Sequence, residues 1–155
     1  MSETPQAARP LWDEYFMKIT GVVSERATCV KRRVGAIIVK DNRILSSGYN
    51  GSPKGMKHCG EVGCIRKDMN VPSGQRHELC RGLHAEQNAI IQAAWHGVKI
   101  EGATMYCTYQ PCVICVKMMI NAGIKRLVYS GSYPDELAAN MIVESKMQVT
   151  RHEKK

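Results

Sequence analysis

Apolar positions recur along the chain with two different periods, and the order in which those periods alternate predicts the architecture. Leu11, Trp12, Tyr15, Phe16, Ile19, Val22 and Val23 stand at helical spacing, which predicts an amphipathic helix over residues 11–28. Two β-prone runs, 34–39 and 43–49, flank the turn formers Asp41 and Asn42 and predict an antiparallel hairpin. Residues 50–82 lose both periods. Regularity returns with a helix over 85–96, a strand over 103–108, a helix over 113–122 stopped by Gly123, a strand over 126–129, a helix over 135–144 and a short strand over 147–150. This alternation predicts an α/β fold of three layers, α/β/α, around a central mixed sheet of about five strands. No internal repeat is visible, so a single domain over 11–150 is expected, between a flexible tail at 1–10 and a basic tail at 151–155.

Length and composition narrow the class. With 155 residues and 44% hydrophobic positions, the chain is long enough to bury a core of its own, and no disulfide staple is needed. Seven cysteines are many, but the count is odd, and residues 1–10 are polar and Pro-containing, unlike a secretory leader. A reducing, cytoplasmic setting follows as the expectation, in which cysteines serve as metal ligands or catalytic groups. No apolar run reaches the roughly 20 residues that span a bilayer, so no membrane association is expected. The net charge of +8 is concentrated early: residues 26–67 hold ten Lys and Arg against Asp41 and Glu61. Such a stretch suits nucleic acid, a phosphorylated small substrate, or simply a solvated face.

The chemistry lies in two short segments. His84-Ala85-Glu86 opens one predicted helix, and Pro111-Cys112-Val113-Ile114-Cys115 opens the next. Two thiolates three positions apart at a helix start can grip one metal ion, since the helix N-terminus favours their negative charge. His84 then makes a third ligand and leaves the fourth tetrahedral position to water, the catalytic arrangement of zinc. Glu86, two residues from that ligand, stands where a proton shuttle belongs. H-x-E followed by P-C-x-x-C is the known signature of zinc nucleobase deaminases.

Within 50–82, His58, Cys59, Cys64, His77 and Cys80 have the spacing of a second, closed site. Cys59, Cys64, His77 and Cys80 would hold a structural zinc that orders a segment poor in apolar residues, with His58 as a competing ligand. Cys29 and Cys107 read as packing residues.

These motifs extend into a wider resemblance. Glu25 to Cys29, Val34-Gly35-Ala36, the run Gly48-Tyr49-Asn50-Gly51-Ser52-Pro53, the segment from Cys80 to Ile90, Pro111 to Cys115 and Asn121 to Lys125 together resemble the deoxycytidylate (dCMP) deaminases of the zinc-dependent cytidine and deoxycytidylate deaminase superfamily. The resemblance implies a cytidine deaminase-like fold and hydrolysis of dCMP to dUMP and ammonia, in support of thymidylate synthesis. It further implies that Ala85 offers its backbone N–H to the base, that Asn50 contacts the nucleoside, and that Arg26 binds the phosphate. A homohexamer, activated by dCTP, inhibited by dTTP and using Mg2+ with the triphosphate, is also implied, with the turn 48–55 as the place for the effector. Two other readings use the same residues: a nucleic-acid base deaminase similar to the tRNA adenosine deaminases, and a catalytically silent deoxynucleotide-binding zinc protein. The first is weakened by the few aromatics available for base stacking, and the second by Glu86.

Overall fold

A continuous apolar run, Gly-Ala-Ile-Ile-Val, can be satisfied only where both faces of a strand are covered, and the computed structural model, which describes residues 7–153, places it at that position. Strand β1 (Gly35–Lys40) pairs antiparallel with β2 (Arg43–Tyr49) on one side and with β3 (Thr104–Tyr109) on the other. β3 then runs parallel to β4 (Arg126–Gly131), and β4 parallel to β5 (Gln148–Arg151), giving a five-stranded mixed sheet in the order β2-β1-β3-β4-β5. The β1–β2 turn has Asp41 and Asn42 both at positive φ, 51° and 58°, the conformation that matches the twist of a tight hairpin.

Three layers result, as the pattern predicts. Helix α1 (Trp12–Ser24) covers one face, where Phe16 and Met17 pack on Ile37, Val39, Tyr106 and Val128. Helices α4 (Ala85–Trp95), α5 (Val113–Asn121) and α6 (Glu136–Ser145) cover the other, over Ala36, Ile38, Met105, Cys107 and Leu127. Among the described residues no helix is long and apolar enough to cross a membrane.

Most element boundaries fall within two residues of the sequence expectation, and two differences bear on the fold. Helix α1 ends at Ser24, because the chain is drawn away by Asn50, whose carbonyl accepts from Thr28 N–H at 3.0 Å. Arg151 belongs to β5 and not to a tail; residues 1–6 and 154–155 of the expected tails lie outside the described residues. The aperiodic segment folds into the single-turn helices α2 (Cys59–Val62) and α3 (Ile65–Asp68) and a 3-10 turn at His77–Leu79.

The position of α4 matters most for function. Ala85, Ala89 and Ala93 form its buried face, and their small side chains let it lie almost on the backbone of β2. Ser46 Oγ donates to the Ala89 carbonyl at 2.6 Å, and a Cβ at Gly48 would fall 2.4 Å from both Ala85 O and Ala89 N. Only glycine fits there without pushing α4 off the sheet.

A half-buried polar cluster fixes the opposite face. Arg126 on β4 donates from Nη1 and Nη2 to the two carboxylate oxygens of Asp13 on α1, at 3.0 and 2.6 Å, while Tyr106 OH donates to Asp13 Oδ1 at 2.7 Å. The bidentate bond to Arg126 is the main reason the Asp13 carboxyl is held below its ordinary value of 3.8. A depressed folded-state value means that the stabilisation is complete above the unfolded-state value and is lost as pH falls through the folded one. Asp13→Asn is therefore expected to cost about 1–2 kcal/mol at pH 7. In urea titrations at several pH values, the gap between wild type and variant should be constant above pH 5 and close below the ordinary carboxylate range.

Candidate active site

The N-termini of α4 and α5 meet on the sheet's edge of the cleft, and each is held by a side-chain acceptor. His84 is the N-cap of α4, and its own N–H donates to Gln87 Oε1 at 2.8 Å. Cys112 is the N-cap of α5, and the next amide, Val113 N–H, donates to Asp135 Oδ2 at 2.9 Å. The other oxygen of Asp135 accepts from Ala138 N–H at 3.0 Å, so one carboxylate locks the starts of both α5 and α6. An aspartate at a predicted helix start is legible as a cap; its reach to a second helix is not.

This arrangement brings three of the expected residues together. His84 Nδ1 lies 3.3 Å from Cys115 Sγ and 3.5 Å from Cys112 Sγ, and the two sulfurs are 3.8 Å apart. A tetrahedral zinc ion with bonds of about 2.3 Å to sulfur and about 2.05 Å to nitrogen would need edges of about 3.8 Å and about 3.5 Å, so these ligand atoms fit one without rearrangement. Among the described residues this is the one group of three or more His, Cys, Asp or Glu whose ligand atoms all lie within 4.8 Å of one another.

The electrostatics agree. The two thiols share a hydrogen bond and compete for one proton; that bond, reinforced by His84, holds Cys112 down at about 4 and pushes Cys115 well up. A divalent ion replaces that proton. Burial works against a charged His84, but the hydrogen bond and charge of Cys112 raise it above its ordinary value. Glu86 is buried directly beside the cluster, and burial pushes its carboxyl up, opposed by a hydrogen bond with Cys115. Cys107, on β3, is wholly buried as a packing residue should be, but it also hydrogen-bonds Glu86 from below.

A cleft of about 300 Å³ opens in front of these groups. Ala85, in the first turn of α4, and Asn50, just past β2, both line it. The Asn50 amide also bridges the backbone, with Nδ2 donating to Arg32 O and Oδ1 accepting from Val34 N–H, each at 2.8 Å.

Two other expected sets of residues stand apart from this cluster. Arg26 is exposed just past the end of α1 and does not line the cleft, because the chain turns at Thr28 before reaching it; Lys31, Arg32 and Arg66 are the cations that do. The set Cys59, Cys64, His77 and Cys80 is not drawn into one cluster. His77 is taken instead by the cleft, its ring edge-on to His84 at 5.0 Å between centroids and its Nε2 3.3 Å from Tyr133 OH. Cys29, read as packing, stands near enough to act on Cys59 electrostatically, together with Cys64 and Cys80.

Residues 10–131 match the family model described as the cytidine and deoxycytidylate deaminase zinc-binding region. The deoxycytidylate deaminase of Schizosaccharomyces pombe is 37% identical over 149 residues, covering 96% of this chain and 46% of the yeast protein. That of Saccharomyces cerevisiae is 41% identical over 125 residues, covering 81% of this chain and 39% of that one. The chain thus spans less than half the length of these two relatives. The crystal structure of dCMP deaminase from cyanophage S-TIM5, in complex with dCMP and dUMP, superposes with a TM-score of 0.78 at 31% identity, covering 94% of this chain and 99% of that one.

If His84, Cys112 and Cys115 hold the ion, then His84→Ala and Cys112→Ser should each remove about one zinc equivalent per chain, because two remaining ligands do not retain it through dialysis. Zinc measured by plasma mass spectrometry on Arg26→Ala should equal that of wild type.

Proposed function

The chain belongs to the cytidine and deoxycytidylate deaminase zinc-binding family, and on that premise we propose that it hydrolyses dCMP to dUMP and ammonia, supplying dUMP for thymidylate synthesis. The observation that carries the reading is the placement of Glu86: a buried carboxyl beside a cluster that draws three, and among the described residues no fourth, His, Cys, Asp or Glu ligand atom together. A structural zinc site is closed by a fourth protein ligand and needs no such group.

His84, Cys112 and Cys115 would hold zinc, which would supply a water activated for attack at neutral pH. Glu86, its carboxyl made more basic by burial, takes the proton of the attacking water and passes it to N3 of the cytosine ring. It then takes the proton of the newly formed C4 hydroxyl and delivers it to the 4-amino group, so that the C4 carbonyl forms as the C–N bond breaks and ammonia leaves. Ala85 N–H, in the first turn of α4, has no partner within its helix and donates to the base carbonyl. Asn50, with one amide N–H beyond its two backbone bonds, contacts the sugar.

The proposal extends to a second, structural zinc. The thiols of Cys59, Cys64 and Cys80 remain its ligands, and their electrostatic coupling to Cys29 supports that residue in the place the spacing assigns to His77. The reading includes a homohexamer regulated by dCTP and dTTP with Mg2+; the turn 48–55, as the place for the effector, has one mechanical link to the cluster. Gly51, in the turn 48–55, exchanges backbone hydrogen bonds of 3.2 and 2.8 Å with Leu83, the neighbour of the ligand His84.

Glu86→Gln should lower turnover of dCMP, followed as loss of cytosine absorbance, by roughly 10²- to 10⁴-fold while zinc stays bound. Activity at the wild-type level in that variant would overturn the mechanism. The same preparations count the metal: about two zinc ions per chain are expected, falling to about one in Cys59→Ser, whereas a wild-type value near one removes the second site.

A further inference from the structure

His77 lines the cleft, yet it is no part of the cluster formed by His84, Cys112 and Cys115. Its ring stands edge-on against His84, with centroids 5.0 Å apart and planes at 80°. Its other contact is Tyr133, on the loop between β4 and α6, whose hydroxyl lies 3.3 Å from His77 Nε2. Tyr133 is itself confined. A Cβ at Gly74 would fall 2.9 Å from that hydroxyl, and the Arg32 guanidinium carbon lies 5.3 Å from the ring centroid. His77 Nδ1 is buried and has no hydrogen-bond partner among the described residues. A buried ring nitrogen left unpaired costs stability, so the place of this imidazole is set by its two ring contacts and not by its own polar needs.

His84 needs an outside constraint. The torsion that turns an imidazole about its Cβ–Cγ bond is broad, so rotamer preference alone does not aim Nδ1 at two sulfurs 3.3 and 3.5 Å away. A metal-binding histidine is usually aimed by a group that accepts from its second ring nitrogen. Here the His84 ring meets another imidazole, and edge-to-face packing at this separation restrains the same rotation. We propose that His77 is a positioning residue for the metal cluster: latched to Tyr133, it holds the His84 ring in the orientation that the ion requires. This rests on the deaminase reading above, which makes His84 a zinc ligand, and it gives His77 a part in the cleft in place of one in the structural site. Cys80 N–H donates to His77 O at 3.0 Å, so the single turn that carries a thiol of the segment 50–82 also carries this contact into the active site.

Occupancy of the cluster is the zinc content of a protein minus that of the same protein carrying His84→Ala, measured by plasma mass spectrometry after equilibration with graded concentrations of a competing chelator. His77→Leu fills the space without a ring and should weaken this binding roughly 10- to 100-fold, the usual effect of losing a group that orients a metal ligand. It should lower kcat for dCMP by a similar factor and change KM less. His77→Phe keeps a ring edge against His84 and should stay within about 3-fold of wild type in both readouts. Cluster zinc binding at the wild-type level in His77→Leu, or equal losses in the leucine and phenylalanine variants, would overturn the positioning role. So would the loss from His77→Leu of a zinc equivalent other than the one missing in His84→Ala, which would return His77 to the structural site. Should neither His77 variant fold, Tyr133→Phe decides on the same zinc readout: weaker binding supports the latch, and unchanged binding overturns it. The zinc readout also separates this role from the activity. If dCMP is not turned over but the zinc difference appears as stated, the deaminase reading fails and the positioning role stands. If dCMP is turned over and His77→Leu matches wild type in zinc binding, the positioning role alone fails.

Discussion

Every functional feature of this molecule depends on two helix N-termini being brought to one point. A helix start offers unpaired amides and a partial positive charge, and here two of them face the same few ångströms, which is where thiolates and a metal ion are stabilised. Helix α4 contributes His84, Ala85 and Glu86; α5 contributes Cys112 and Cys115. Helix α4 could not reach that position with a larger contact face. The alanine row on α4 and the missing side chain at Gly48 allow the close approach, and the Asp135 carboxylate sets the start of α5. The packing of the sheet's covered face is thus the positional control of the chemistry.

The same geometry divides the work among the cysteines. Cys112 and Cys115 compete for one proton at the helix start and are ready to exchange it for a metal. Cys107, a strand residue in the core, has its thiol pushed well up by burial and acts only on Glu86. Cys29, Cys59, Cys64 and Cys80 form a separate neighbourhood against the single-turn helices. A single residue type therefore takes three parts, decided by burial and by which charges lie near.

The basic stretch resolves in a similar way. Most of its charges are solvated, but Arg32 is drawn inward by Tyr109, Tyr133 and the turn at Asn50, and Arg66 lines the same cleft. Arg26, only six positions from Arg32, faces solvent instead, because the helix that carries the chain to it ends at Ser24. Which cation serves the cleft is decided by where the backbone turns.

Much of the site was legible from residue order alone. His84 with Glu86, and Cys112 with Cys115, are two and three positions apart, and at a helix start such spacings already determine which groups share a side. The alternation of periods likewise implied three layers and a mixed sheet, because each buried face demands a partner. The contacts that residue order did not reveal act across long separations. His77 meets His84 and Tyr133 through the folding of the segment 50–82 against the sheet, and Asp135 meets Val113 across the starts of two helices. That segment has no periodicity from which to read direction, so its side chains acquire their neighbours only when the rest of the core is in place. Local spacing and hydrophobic period thus determined the fold class and which residues form the His84, Cys112 and Cys115 cluster with Glu86 beside it. Tertiary packing alone decided which imidazole, which thiol and which guanidinium joined them, because those contacts depend on distances between segments that no sequence interval encodes.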